Sequence, residues 1–277
     1  MEHIKDINWN ESAFDRLVLS HGKKELIKAL VTANTQSTRS TDIIEGKGNS
    51  FVMLLHGGPG TGKTLTAEAV AELTRRPLYR LKCGDIGTDA GEVEKHLDSV
   101  LPMCGAWGCV VLLDEADAFL EERRETDLQR NALVSIFLRI LEYYNGILIL
   151  TTNRVGALDS AFKSRFHLTV HYPALDFHGR YEIWLNSIND LSKTKSNAKI
   201  DDLESHLEDM AVDELNGRQI RNMISMSLQL AHFRQEALNY EHFKQVIGVA
   251  EEFEKRIEST RGYSDLDWAL HRGTRSE

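Results

Sequence analysis

The stretch Phe51–Val70, FVMLLHGGPGTGKTLTAEAV, joins an apolar run, a glycine-packed turn and an alanine-rich segment of helix formers. Its middle, Gly57-Gly58-Pro59-Gly60-Thr61-Gly62-Lys63-Thr64, fits G-x-x-x-x-G-K-[ST]. Glycines let the backbone wrap so that several N–H groups point at phosphate, and the following helix turns its positive end to the same place. The pattern predicts Lys63 on the β- and γ-phosphates and the Thr64 hydroxyl in an Mg²⁺ shell. A tight strand-to-helix turn can carry the same letters. Here a strand-like run precedes the loop and a helical one follows, which is the context phosphate binding needs.

Two further strand ends carry polar groups. CVVLLDEADAF (109–119) delivers Asp114 and Glu115 after an apolar run, at the carboxyl edge where parallel α/β sheets bind ligands. Asp114 suits the Mg²⁺-holding carboxylate, and Glu115 suits a general base that orients and deprotonates a water. GILILTTNR (146–154) ends in Thr151, Thr152 and Asn153, within reach of a γ-phosphate if the strand lies between the loop and the Asp-Glu strand. Alone, either end is an ordinary turn; together with the loop they make a site.

Around these motifs, strands are expected at 51–57, 77–83, 109–115, 146–153 and 167–172. Several are apolar on consecutive residues, as in strands covered on both faces. Helices are expected at 62–76, 91–101 and 126–144, with a short one at 160–164. In the third, Leu128, Leu133, Ile136, Phe137, Ile140, Leu141 and Tyr144 form one apolar face. Strands alternating with helices imply a parallel sheet with right-handed crossovers. After Tyr172 the pattern turns wholly helical. One helix starts at Asn216 or Gly217, and 192–199 reads as a polar loop. The expected organisation is an α/β domain over 1–172, a helical domain over 173–260 and a tail over 261–277.

The net charge of −9 weighs against nucleic acid, which is normally met by a basic surface, although a local basic patch stays open. Cys83, Cys104 and Cys109 form no CxxC pair and read as reduced core thiols of an intracellular, cytoplasmic protein. No stretch approaches the about 20 apolar residues that span a bilayer, and the N-terminus lacks the apolar core of a secretory signal. The histidines show no metal spacing, and His56 reads as packing at a strand end. The arginines of 121–130 stand among acids and read as a solvated, ion-paired loop.

HGGPGTGKT, LLDEADAFLEER, LTTNR, LDSAFKSRF and the helical C-terminal part resemble the AAA-type ATPases of the AAA+ superfamily, over roughly Phe14 to Arg256. LRILEYYNGILILTTNR with GRQIRN is similar, more narrowly, to a fungal group with its own lid type. The resemblance implies a P-loop NTPase αβα sandwich with strand order 5-1-4-3-2 and a small helical lid. It further implies homo-oligomeric rings, a hexamer among them, with nucleotide lying between neighbours. It puts Gly57 to Thr64, with Leu65 beside them, at the Walker A loop, Asp114 and Glu115 at the Walker B pair and Asn153 at sensor 1. Arg165, in SRF, falls at the arginine-finger position. Arg218 is the candidate for sensor 2, with Arg221 as the alternative, and a solvated helix-face arginine remains the plain reading of both. Phe14–Leu19 would pass near the adenine, and a hinge near Tyr172–Leu175 would turn hydrolysis into lid rotation.

Three departures stand out. Leu168 replaces the second finger of the relatives' RFDR. Ile86-Gly87 lacks the aromatic of polypeptide-threading loops. Gly58 stands where a second proline is usual. The expected function is Mg²⁺-dependent ATP hydrolysis that drives remodelling of a protein partner. An ATP-binding scaffold with little turnover and a DNA-directed loader are the alternatives. Tyr263, Leu266, Trp268 and Leu270 in the tail are expected to dock on the protein's own core or on a neighbour.

Overall fold

The computed structural model describes residues 7–36, 50–87, 89–123, 127–154, 156, 158–193 and 197–261. These fall into two compact units. One takes the residues up to Gly57 together with Gly62–Tyr172; the other takes Gly58–Thr61 and the residues from Pro173 onward.

The first unit is built on β1 (Phe51–Gly57), β2 (Leu78–Lys82), β3 (Val110–Asp114), β4 (Ile147–Thr152) and β5 (Leu168–Tyr172). The strands form one sheet in the order β2-β3-β4-β1-β5, with every neighbouring pair parallel. This is the expected 5-1-4-3-2 order read from the other edge. Because side chains alternate across a strand, the consecutive apolar residues feed two cores. Val52, Leu54, Val111, Leu113, Leu148 and Leu150 share one cluster with residues of α5 (Ala90–Ala106) and α7 (Leu128–Tyr143). Phe51, Met53, Leu55, Val110, Leu112, Ile147 and Ile149 share the other. Its helices are α1 (Ser12–Asp15), α2 (His21–Gln36) and α3 (Lys63–Thr74). Short α4 (Cys83–Ile86) and α6 (Asp117–Leu120) follow β2 and β3.

Element boundaries depart from the sequence expectation in instructive places. Residues 21–36 form α2, which the sequence reading leaves unassigned; Ile27 and Val31, one turn apart, are its fully buried contacts. Helix α5 runs past the expected end at Leu101, through Pro102, to Ala106. Leu101 and Cys104 are both buried, and this packing holds the last turn despite the lost proline donor. Leu128, expected on the buried face of α7, is 79% exposed at its first turn. The segment 160–164 is a single 3₁₀ turn, Ser160–Phe162. Phe14 and Leu17, from the segment expected near the adenine, are buried in the second core.

The second unit packs α8 (Phe177–Lys193), α9 (Ile200–Ser205), α10 (Leu207–Val212), α11 (Gly217–Arg234) and α12 (Tyr240–Arg261) around Trp184. The ring of Phe243 meets Trp184 edge-on, 5.4 Å between centroids. The stretch 200–212 forms two short helices that break at His206, whose ring stacks on Tyr240 at 4.1 Å. The expected polar loop 192–199 is partly structured: α8 reaches Lys193, and the Lys199 N–H donates to Leu238 O at 2.8 Å. The tail residues Tyr263, Leu266, Trp268 and Leu270 lie outside the described residues. Among the described residues no helix is long and apolar enough to cross a membrane.

Candidate functional site

Strand β1 delivers the loop at Gly57, where φ is +146° and a Cβ would overlap the carbonyl of Tyr172. Only a glycine fits that approach without strain. At the other end Gly62, with φ +103°, turns the chain into α3 as its N-cap. The Thr66 hydroxyl donates back to Gly62 O at 3.0 Å and shares a buried hydrogen bond of 2.7 Å with the Tyr172 hydroxyl, which ties the helix to β5.

Lys63, the first residue of α3, is buried to 7% exposure. Its ammonium donates to Gly57 O at 2.8 Å and to Asn153 Oδ1 at 2.9 Å. An interior ammonium needs such acceptors to offset its lost hydration. The Lys63 cation therefore joins the start of the loop to the end of β4.

Thr64, next on α3, donates its hydroxyl to Asp114 Oδ1 at 3.1 Å. The same oxygen accepts from Thr151 Oγ1 at 2.7 Å. Asp114 is nearly buried, and its other oxygen accepts from the guanidinium of Arg80 on β2. Burial pushes the Asp114 carboxyl up, but the bonds from Thr151, Arg80 and Thr64 outweigh it and hold the group below the usual carboxylate range.

Glu115 follows with an exposed side chain and a left-handed backbone, φ +58°. A non-glycine residue pays strain for that conformation. It is held by its own N–H, which donates to Thr151 Oγ1 at 2.9 Å, and by Ala116 N–H, which donates to Thr151 O at 2.8 Å. Thr151 thus serves both acidic residues. Asp117 does the same for the next step of β4: it accepts from the Thr152 hydroxyl and, at 3.1 Å, from the Asn153 N–H.

Lys63, Thr64, Asp114 and Asn153 therefore meet through direct hydrogen bonds, with Glu115 beside Asp114 in the chain. Arg165 makes other bonds: Nη1 donates to Ala161 O at 2.9 Å, and Nη2 lies 3.8 Å from Glu142. Leu168 opens β5 in register with Met53 and packs against the second core. Ile86 is buried in the first core. Leu65, on the outer side of α3, is exposed.

In the second unit, Thr61 donates its hydroxyl to Gly58 O at 2.8 Å, and Pro59 is exposed. Gly60 accepts from Gly217 N–H at 3.0 Å, and a Cβ on Gly60 would overlap the side chain of Asn216. Asn216 caps α11 with a full capping box: its side chain accepts from Gln219 N at 3.0 Å, and Gln219 Oε1 accepts from Asn216 N at 2.8 Å. Arg218 and Arg221 are exposed on the first turns of α11.

Sequence reasoning misses Arg80 and Asp117. Lys82 is in register with Asp114, and Arg80 lies two residues earlier on the same face of β2, so it is a diagonal neighbour of the acid. That signal exists only once the strand pairing is known. His56, expected to pack at the strand end, stacks its ring on His171 at 4.9 Å. Burial first, then the charges of His171, Lys23 and Lys63, lower its proton affinity. Around the acidic loop, Arg123 pairs with Asp159 at 2.8 Å and Arg130 with Glu121 at 3.4 Å.

Comparison with known proteins places this arrangement. Residues 53–174 match the model of the ATPase family associated with various cellular activities (AAA), and residues 175–264 match that of the fungal AAA+ ATPase lid domain. A putative cell division cycle ATPase of Plasmodium falciparum is 32% identical over 48% of this chain and 12% of its own length. A putative 26S proteasome regulatory subunit homolog of Methanothermobacter thermautotrophicus is 26% identical over 64% of this chain and 49% of its own. The proteasome-activating nucleotidase of Methanococcus vannielii is 30% identical over 58% of this chain and 41% of its own. In each case the chain spans no more than about half of the relative. With a parallel sheet in the 5-1-4-3-2 order, a glycine loop leading into Lys63 and Thr64 and the two family models matching adjoining stretches, the chain belongs to the AAA ATPases and carries an AAA domain followed by a fungal AAA+ lid domain.

Proposed function

We propose that this chain is an Mg²⁺-dependent ATPase module that works as a homo-oligomeric ring on a protein partner. The observation that carries the reading is the bonded set Lys63–Asn153 and Thr64–Asp114, which brings the ends of β4 and β3 to the end of the glycine loop. A threonine hydroxyl beside a carboxylate is the hard-oxygen donor set that Mg²⁺ takes, and Thr64 and Asp114 would hold it. When bound, the cation neutralises charge on the β- and γ-phosphate oxygens.

The protein groups divide the remaining work. Loop N–H groups and the start of α3 bind phosphate, and the Lys63 ammonium exchanges its present acceptors, Gly57 O and Asn153 Oδ1, for phosphate oxygens. Glu115, exposed at the strand end, takes a proton from the attacking water. The Asn153 side chain, freed from Lys63, orients that water or the γ-phosphate. Arg165 acts in trans on a neighbour's site, after leaving Glu142 and Ala161. Arg218 remains the sensor-2 candidate, with Arg221 as the alternative. The units divide near Tyr172, and we assign nucleotide binding to 1–172 and the lid role to 173–260. Two of the relatives are named for the proteasome, which supports a protein as the target of the work. The negative net charge disfavours nucleic acid.

The second reading, an ATP-binding scaffold, is favoured by Arg165 being bonded within its own chain and by Leu168 at the second-finger position. Glu115→Gln separates the two. The ATPase reading expects hydrolysis to fall by about 10²-fold or more while ATP affinity is kept. Lys63→Ala should lose ATP binding itself. A Glu115→Gln protein that hydrolyses as fast as the parent, or a parent that binds ATP without measurable turnover, contradicts the ATPase assignment.

A further inference from the structure

The Asp114 carboxylate is nearly buried, and three of its roughly four acceptor sites are in use: two on Oδ1 by the hydroxyls of Thr64 and Thr151, one on Oδ2 by Arg80. The hydroxyls are neutral. The guanidinium is the charged partner, and it occupies the oxygen that the two hydroxyls leave free. A buried carboxylate without a cation is costly, so this pairing suits the nucleotide-free state. It does not suit a state in which Thr64 and Asp114 hold a dication, because a guanidinium on the same carboxylate repels it.

Arg80 has somewhere else to go. Its side chain is 42% exposed on β2, at the edge of the sheet, and Nη1 already lies 4.0 Å from Glu68 Oε1 on α3. Glu68 is itself 45% exposed. A turn of the guanidinium about its last bonds would trade one carboxylate for the other while water covers the difference. Leaving Asp114 is costly until a dication replaces the guanidinium there, and the exposed pair with Glu68 is weak enough to let Arg80 return.

We propose that Arg80 is an internal counter-ion that competes with Mg²⁺ for Asp114 and passes to Glu68 as the cation site fills, thereby setting the Mg²⁺ level at which nucleotide is held. The inference rests on the nucleotide reading of the Lys63–Asp114 site. It gives Arg80 a positioning role, acting through Asp114 and not on substrate.

The test is an Mg²⁺ titration of fluorescent ADP binding to the full chain, which reads occupancy without turnover. Arg80→Met removes the competing charge while keeping most of the apolar stem. It should lower the half-saturating Mg²⁺ concentration by about three- to tenfold. Glu68→Gln, a change on the exposed face of α3, removes the alternative acceptor and should raise that concentration. An unchanged Mg²⁺ midpoint in Arg80→Met overturns the proposal, and so does a higher one, which would make Arg80 a support for the cation and not a rival. Should Arg80→Met fail to fold, Glu68→Gln decides: an unchanged or lower midpoint overturns the idea. Absence of ADP binding by the parent at any Mg²⁺ level removes the nucleotide site and the proposal together. Equal midpoints in parent and variants remove the proposal alone.

Discussion

A Cβ at residue 57 would enter the carbonyl of Tyr172, and the backbone there has φ +146°. Gly57→Ala is therefore expected to destabilise the first unit by about 2 kcal/mol or more, read as a lower urea midpoint. A milder effect belongs to His56. Its proton affinity is lowered in the folded state, by burial first and then by His171, Lys23 and Lys63, so the unfolded chain binds the proton more readily. Its neutral form supports folding fully above the ordinary histidine value of about 6.5, and that support fades as pH falls below it. His56→Leu should flatten the loss of stability between about pH 7.5 and about pH 5.5, measured by urea unfolding. At this scale the convergence of Lys63, Thr64, Asp114 and Asn153 was legible, because each sits at a glycine turn or strand end with a stated chemical use. Arg80 and Asp117 were not. A single charged residue in a strand, or one acid after a pair of acids, carries no spacing that names its partner.

Among the elements, α7 shows how burial diverges from periodicity. Phe137 is fully buried and stacks on Phe119 at 4.2 Å, whereas Leu128 at the same helix's start is 79% exposed. Phe137→Ala should cost about 3–5 kcal/mol and Leu128→Ser less than about 0.5, compared by denaturant melts. The sequence marks both as one face because it records period and not where the neighbouring layer ends. Helix α11 is the opposite case. The Asn216-x-x-Gln219 pattern specifies its start, and the capping box forms in full. Asn216→Ala should lose about 1 kcal/mol in the second unit, with frayed amides at 217–219 in hydrogen exchange. Helix α2 was not legible although Ser20 stands at its N-cap position, since HGKKELIKALVTANTQ buries little beyond Ile27 and Val31 and so writes only a thin apolar stripe. The central strands β1, β3 and β4 were, because double-sided burial writes consecutive apolar residues, whereas the edge strands β2 and β5 are only partly buried.

On the scale of the whole molecule, the strand–helix alternation marks the sheet as parallel and the family resemblance alone implies its order, while the grouping of Gly58–Thr61 with the residues from Pro173 onward has no trace in the sequence. Within that unit Gly60 O accepts from the Gly217 N–H, residues far apart in the chain. The bonds of Arg165 bear on assembly. In the isolated chain its guanidinium goes to Ala161 and Glu142, so action on a neighbour's nucleotide requires those bonds to open. The decisive measurement is phosphate release from ATP per subunit, with Mg²⁺, across a wide range of protein concentration. The account predicts that specific activity climbs as subunits associate and is lost in Arg165→Ala. Activity that is flat with concentration and indifferent to Arg165, or no phosphate release at any concentration, would contradict it.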